Sequence, residues 1–159
     1  MRRVNMSVIK NVKKNGQYIG HFDVTSDTMK FVNADGLRRK DIIALGDIVY
    51  FMFVDNKLMK IGKAGGANGF AGRVGTYNRG RLGDATNNLI IDVMESIDAD
   101  RIDVWAVQSP RETIKYKCNL TGETIAEEVP THKNNESRYT HMFLGESTAN
   151  DLPFCTQLN

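Results

Sequence analysis

The chain has 159 residues, of which 41% are hydrophobic and 25% are charged, as is typical of one soluble globular domain. No apolar run approaches the roughly 20 residues that cross a bilayer, and the first residues lack the apolar core of a secretion signal, so we expect a cytoplasmic protein without a membrane partner. Cys118 and Cys155 have neither metal-ligand spacing nor the density of a disulfide framework, and we expect two reduced thiols without a disulfide partner.

The net charge of +2 conceals a strong asymmetry along the chain. Residues 1–81 contain 15 Lys and Arg against 6 Asp and Glu, whereas residues 82–159 contain 6 against 13. A basic half is typical of a surface that follows a polyanion, and an acidic half can supply carboxylates to a metal ion. The alternative is that the charges intermix on the folded surface and carry no functional information.

Residues 1–45 predict an N-terminal arm with a β-hairpin and a short basic helix. Short strands are predicted at residues 8–12, 18–24 and 29–32. Asn15-Gly16, between the first two, is a strong hairpin-turn signal. A helix is predicted over residues 37–45, and Gly46 would end it.

A second hairpin carries the most informative residues. Its strands are predicted at residues 47–54 and 57–63, joined by Asp55-Asn56. Lys60 and Lys63 stand where a buried strand would have apolar residues. A glycine-rich stretch, residues 62–72, then leads into a helix with Arg73 and Tyr77, which lie one turn apart and so share a face.

The remaining segments continue this alternation of strands and helices. The pair Asn87-Asn88 would cap a helix that runs to about Ile97. The further predictions are a strand over residues 101–108, a hairpin over residues 113–129 and a helix over residues 135–145. In the strand, alternation places Ile102, Val104 and Ala106 on one face.

The hairpin and the helix after it resemble the GIY-YIG nuclease superfamily over roughly residues 46–159. Ile48-Val49-Tyr50 corresponds to the first motif and Lys60-Ile61-Gly62 to the second, and residues 69–77 correspond to the arginine helix. The first motif lacks its glycine, since Gly46 lies one residue early. Lys60 replaces the second tyrosine, as in some restriction-enzyme members. Tyr18-Ile19-Gly20 spells the second motif literally, but no matching strand or arginine helix accompanies it.

The resemblance implies an α+β fold with a small central antiparallel three-stranded sheet flanked by helices. Residues 46–159 would form the nuclease domain, with a hairpin inserted at about residues 113–129. The implied activity is that of a restriction-type or phage-encoded DNA endonuclease that uses one Mg²⁺ or Mn²⁺ ion. Double-stranded DNA is the expected partner, and a homodimer would allow two sites to cut two strands.

The implied catalytic residues are Tyr50, Lys60, Lys63, Arg73, Tyr77 and Glu136. Tyr50 would be the general base, with the two lysines favouring its phenolate. Arg73 would clamp the phosphoryl oxygens with its planar fork, and Tyr77 would donate a hydrogen bond or shield the phosphate. Taken alone, Tyr50 would be interpreted as a packed sheet aromatic and Arg73 as an exposed helix residue. Their proximity to Lys60 and Gly62 in the sequence favours the catalytic interpretation.

Glu136 is the expected metal ligand, because a lone carboxylate suits Mg²⁺, which keeps most of its waters. The alternatives are that Glu136 merely favours a helix N-terminus and that Glu128 or Glu146 holds the metal. Asn159 resembles an asparagine near the end of many family members. His132 and His141 are too sparse for a zinc site.

Two other functional classes remain open from the sequence. One is a nucleic-acid-binding module with a decayed nuclease site, which the lysine at position 60 keeps in consideration. The other is a phage regulatory or inhibitor protein whose hairpin resembles the family by coincidence.

Overall fold

The computed structural model describes residues 4–145 and 152–155. In chain order the elements are α1 (Val4–Asn15), β1 (Gln17–Val24), β2 (Met29–Asn33), α2 (Arg39–Ala44), β3 (Ile48–Val54), β4 (Lys57–Ala64), α3 (Gly69–Tyr77), a 3-10 turn (Gly80–Leu82), α4 (Ala85–Ser96), β5 (Arg101–Gln108), β6 (Glu112–Lys117), β7 (Thr124–Val129) and α5 (His132–Leu144). Within the described ranges, no helix is long and apolar enough to cross a membrane.

The central sheet is antiparallel and has the strand order β2-β1-β5-β3-β4. The predicted α+β class is confirmed, but the sheet has five strands rather than the three expected. The three predicted strands β5, β3 and β4 form one side of it. Because β1 pairs with β5 from Gln17 to Asp23, the strands of the predicted N-terminal arm extend the same sheet.

Helices cover both faces of the sheet, and strand alternation separates the two cores. On one face, the predicted inward residues of β5, which are Ile102, Val104 and Ala106, pack with residues from α2, α3 and α4. On the other face, Phe51 of β3 packs with Val12 of α1 and Phe143 of α5. Since β4 is an edge strand, the two helical layers approach each other along it.

The prediction of a strand at residues 8–12 is wrong, because this segment belongs to helix α1. Ile9 and Val12, three residues apart, face the same core, which is helical spacing rather than strand alternation. Gly16 ends the helix by donating its N–H to the Val12 carbonyl at 2.7 Å. A Cβ at Gly16 would lie 2.7 Å from that oxygen, so this glycine serves a helix-to-strand junction instead of a hairpin turn.

The predicted cap of α4 is also wrong. Asp84 is the N-cap, and its carboxylate accepts the N–H of Asn87 at 3.1 Å. Asn87 is instead fully buried, and its amide donates to the carbonyl oxygens of Thr76 at 2.9 Å and Gly80 at 3.2 Å. This side chain therefore holds the end of α3 against the start of α4.

The predicted second hairpin is present as β6 and β7, which form a separate two-stranded sheet. All six residues of β6 are exposed, including Ile114 and Tyr116. The hairpin therefore forms an exposed sheet of its own, separate from the central sheet.

Residues 152–155 return to the edge of the central sheet. The Phe154 N–H donates to the Met59 carbonyl at 3.1 Å, and the Phe154 ring is fully buried in the core. Glu146, the alternative metal ligand, and Asn159, which resembles the family's asparagine, lie outside the described residues.

Candidate active site

An open pocket of about 560 Å³ lies at the edge of the sheet, where β4, the glycine-rich loop and α3 meet. Its wall includes Tyr50, Lys60, Gly62, Lys63, Arg73 and His132. Four of the six predicted catalytic residues thus line one cavity. The other two, Tyr77 and Glu136, each contact a member of its wall.

Tyr50 forms the inner wall of this pocket and has no solvent exposure. It pairs with Gly62 on the neighbouring strand, and its ring occupies the space where a side chain at residue 62 would begin. Any Cβ at this position would overlap the Tyr50 ring. Gly62 is therefore required for the tyrosine to lie across β4.

Tyr77 reaches the same place from the last turn of α3. Its hydroxyl oxygen lies 2.8 Å from that of Tyr50, and both side chains are buried. Burial first, and the adjacent Tyr50 second, raise the pKa of Tyr77 well above its ordinary value. Tyr77 therefore keeps its proton and can donate it in a hydrogen bond to the Tyr50 oxygen.

Arg73 lies one turn before Tyr77, with its guanidinium carbon 5.9 Å from the centre of the Tyr77 ring. Attraction to Tyr50 is the main cause that raises the pKa of Arg73, while partial burial opposes the increase. A cation beside a phenol stabilises the phenolate that a general base requires. Its exposed fork remains suited to two phosphoryl oxygens.

The two predicted lysines point to different sides of β4. Lys60 follows the same alternation as Gly62, and its ammonium lies 3.6 Å from the Cys155 sulfur. Lys63 points toward the α5 side, where its Nζ lies 3.8 Å from Glu136 Oε1. The sequence placed both lysines beside Tyr50, whereas the structure pairs Lys63 with the predicted metal ligand.

Glu136 therefore stands beside Lys63, and Tyr50 stands beside Gly62, the preceding residue of β4. No cluster of three or more His, Cys, Asp or Glu side chains occurs among residues 4–145 and 152–155. A half-buried single carboxylate fits a Mg²⁺ ion that keeps its waters and takes phosphate oxygens as further ligands. The rival Glu128 lies on the exposed hairpin, paired with Thr113.

His132, which the sequence excluded as part of a zinc site, lies in the pocket wall. Its Nδ1 lies 3.6 Å from Asp47 Oδ2, and both side chains are mostly buried. The available signal was its spacing, since His132 precedes Glu136 by four residues and so shares a helix face with it. The helix was predicted to begin at residue 135, which placed His132 outside it.

Tyr18-Ile19-Gly20, the literal copy of the second motif, lies in β1, and β5 separates that strand from β3. The Tyr18 hydroxyl accepts a hydrogen bond from Arg101 at 3.0 Å. This segment does not contribute to the pocket.

The fold is similar to those of two solved structures. The restriction endonuclease HPY188I in complex with product DNA is 19% identical, with 94% of this chain and 84% of that chain covered and a TM-score of 0.50. A mutant of bacteriophage T4 EndoII is 12% identical, with 89% and 96% covered and a TM-score of 0.54. The chain therefore shares the fold of a restriction endonuclease. No protein-family model matches the sequence, and no curated protein matches it either.

Proposed function

We propose that this protein is a GIY-YIG-type DNA endonuclease that hydrolyses phosphodiester bonds with one divalent metal ion. The observation that carries this proposal is the pocket in which Tyr50 lies against Gly62, with Arg73 and Tyr77 beside its hydroxyl. A phenol, a guanidinium and a nearby carboxylate are the groups needed to activate a water, hold a phosphoryl group and bind a metal.

In the proposed reaction, Tyr50 accepts a proton from a water molecule that attacks the phosphorus. Arg73 holds the non-bridging oxygens, and Tyr77 stabilises the Tyr50 oxygen by donating its hydrogen bond. The bond from phosphorus to the 3′-oxygen breaks, which leaves 5′-phosphate and 3′-hydroxyl ends. A Mg²⁺ or Mn²⁺ ion held by Glu136 would supply positive charge that stabilises the departing oxygen.

Two observations support DNA as the substrate. The structurally similar restriction endonuclease was solved with product DNA. The pocket wall carries three cations, Lys60, Lys63 and Arg73, which suit a phosphate chain. We propose a cytoplasmic, restriction-type or phage-encoded enzyme that cuts double-stranded DNA, with a homodimer supplying one site for each strand.

Incubation with supercoiled plasmid in Mg²⁺, and in parallel with EDTA, tests the proposal. We expect nicked or linear DNA with Mg²⁺ and intact plasmid with EDTA. Glu136→Gln should abolish cleavage while retaining DNA binding. Glu128→Gln, on the exposed hairpin, is the matched control and should cut like the wild type. Cleavage by Glu136→Gln at the wild-type rate would contradict the metal assignment.

A DNA-binding module with a decayed site is the second candidate. The complete burial of Tyr50 favours it, because a general base must meet a water molecule. Retained binding without cleavage under any divalent metal would identify this function. Absence of DNA binding would instead indicate the regulatory or inhibitor class.

A further inference from the structure

We propose that His132, oriented by Asp47, is the general acid that protonates the departing 3′-oxygen. This inference rests on the proposed nuclease function. It concerns the end of the reaction opposite to Tyr50, for which the predicted site residues supply no proton donor.

The orientation of the His132 ring is the first observation. Nδ1 is buried and forms no hydrogen bond with the residues that the structure describes, and its nearest acidic atom is Asp47 Oδ2 at 3.6 Å. Because the ring also lines the pocket, its accessible edge is the one that bears Nε2. A carboxylate behind one ring nitrogen, with the other facing a substrate cavity, is an arrangement suited to proton transfer.

Hydrogen bonds and an ion pair fix the position of Asp47. Its Oδ1 accepts the Gly66 N–H at 3.3 Å, and its carbonyl accepts the Ser109 N–H at 2.8 Å. The Arg111 Nε lies 4.0 Å from Oδ2. These contacts fix the carboxylate at the start of β3, so its position beside the imidazole does not depend on a substrate.

The glycine-rich loop is shaped to accommodate this pair. A Cβ at Gly65 would lie 2.7 Å from Asp47 Oδ1 and 2.8 Å from His132 Nε2. These distances are shorter than ordinary contacts to a carbon atom, so a side chain at residue 65 would displace one partner. The loop therefore needs glycine at this position for the pair to remain at the pocket.

The position of His132 relative to Tyr50 is the second observation. Tyr50 belongs to the core covered by α3, whereas His132 begins α5 on the opposite face of the sheet, and both reach the pocket across edge strand β4. In-line displacement places the attacking and leaving oxygens on opposite sides of phosphorus. A base on the α3 face of the sheet and an acid on the α5 face suit this requirement.

The other cationic side chains of the wall do not fill the role. Lysine and arginine side chains ordinarily hold their protons near neutral pH and suit phosphate contacts, whereas imidazole exchanges its proton in this range. The charged groups around the imidazole are Asp47, with Arg111 behind it, and Glu136 on the same helix face, with Lys63 paired to it. In the proposed step, the bond from phosphorus to O3′ breaks with its electron pair on oxygen, and that oxygen takes the Nε2 proton. Solvent then returns a proton to Nε2.

A sulfur-substituted substrate tests the assignment. The cleavage position is first mapped on an unmodified duplex, and the bridging 3′-oxygen at that position is then replaced by sulfur. A thiolate leaves without protonation, so the acid becomes dispensable. Both duplexes are assayed in the same Mn²⁺ buffer.

On the oxygen substrate, we expect His132→Ala to lower kcat about 10²-fold with little change in KM. On the sulfur substrate, the cleavage rate of His132→Ala should come within a few-fold of the wild-type rate. Asp47→Asn should show a smaller loss with the same rescue, as a positioning residue. His141→Ala, on the exposed part of the same helix, is the control and should be unaffected on both.

Equal losses on the two substrates, or a wild-type rate for His132→Ala on oxygen, would overturn the inference. Tyr50→Phe should remain slow on both duplexes, which separates a missing base from a missing acid. If the wild-type protein cuts neither duplex, the proposed function itself fails.

Discussion

The hydroxyl oxygens of Tyr50 and Tyr77 lie 2.8 Å apart inside the protein, and Arg73 adjoins both rings. Burial and the adjacent Tyr50 raise the pKa of Tyr77, so that phenol keeps its proton, and the positive charge of Arg73 lies beside both phenols. A pair of chemically identical side chains thus acquires two roles from its surroundings. In the proposed reaction, Tyr77 is the donor of this hydrogen bond and Tyr50 is the acceptor.

Tyr50→Phe should therefore abolish cleavage without weakening DNA binding. We expect a loss of at least 10²-fold in kcat, because proton transfer contributes about 10² to 10⁴. Plasmid cleavage and a gel-shift assay measure the two properties. Tyr77→Phe, which removes only the donor, should lose less activity. A larger loss of activity in Tyr77→Phe than in Tyr50→Phe would indicate that Tyr77 is the base and Tyr50 the donor.

Gly62→Ala should inactivate the protein and lower its thermal stability, since the new methyl group overlaps the Tyr50 ring. Overpacking of this kind costs about 1–3 kcal/mol. Gly75→Ala is the matched control, because nothing lies within 4 Å of its Cβ position in α3. It should raise stability by roughly 0.5–1 kcal/mol. Thermal unfolding measures the stability of both variants. Equal stabilities would contradict the close contact between Gly62 and the Tyr50 ring.

Arg73→Lys should keep the positive charge beside Tyr50 but lose the planar fork. We expect DNA binding near the wild-type level and a fall in kcat of about 10-fold or more, because a lysine cannot bond two phosphoryl oxygens in the same geometry. Arg79→Lys, at an exposed position after α3, serves as the control. Full activity of the Arg73→Lys protein would show that charge alone suffices.

Much of the fold was predictable because its signals are local. Asp55-Asn56 between two strand-forming segments defines a hairpin, and both turn residues have the positive φ that such a turn requires. The prediction of a strand at residues 8–12 was wrong, because Ile9 and Val12 pack against the sheet as part of helix α1. A segment of five residues does not reveal that packing. The five-stranded sheet depends on the pairing of β1 with β5, and residues so far apart in sequence carry no local signal.

The candidate site likewise combines residues that local sequence brings together with residues that only the tertiary structure brings together. Tyr50, Lys60 and Arg73 come from one continuous segment, so their motif spacing was sufficient to bring them together. The Lys63–Glu136 pair and the Asp47–His132 pair join residues that are distant in sequence. Their contacts arise where α5 meets edge strand β4 and the start of β3, and only the tertiary structure brings these elements together.

DNA binding should weaken steeply between 50 and 200 mM salt, because lysines that neutralise phosphates release counterions. Lys60→Gln and Lys63→Gln should each reduce the slope of log K against log salt by about one. Lys30→Gln is the control, since it lies exposed on β2 at the other edge of the sheet. An unchanged slope in both pocket variants would place the DNA elsewhere.

Phe154 has a consequence for how the protein avoids self-association. An open edge strand presents unpaired backbone groups that can template pairing with another chain. Residues 152–155 cover part of β4. The Phe154 N–H donates to the Met59 carbonyl, and the Phe154 ring is buried in the core. A chain shortened before Leu152 should therefore fail first by aggregation through β4, so purification tags are better placed at the amino terminus.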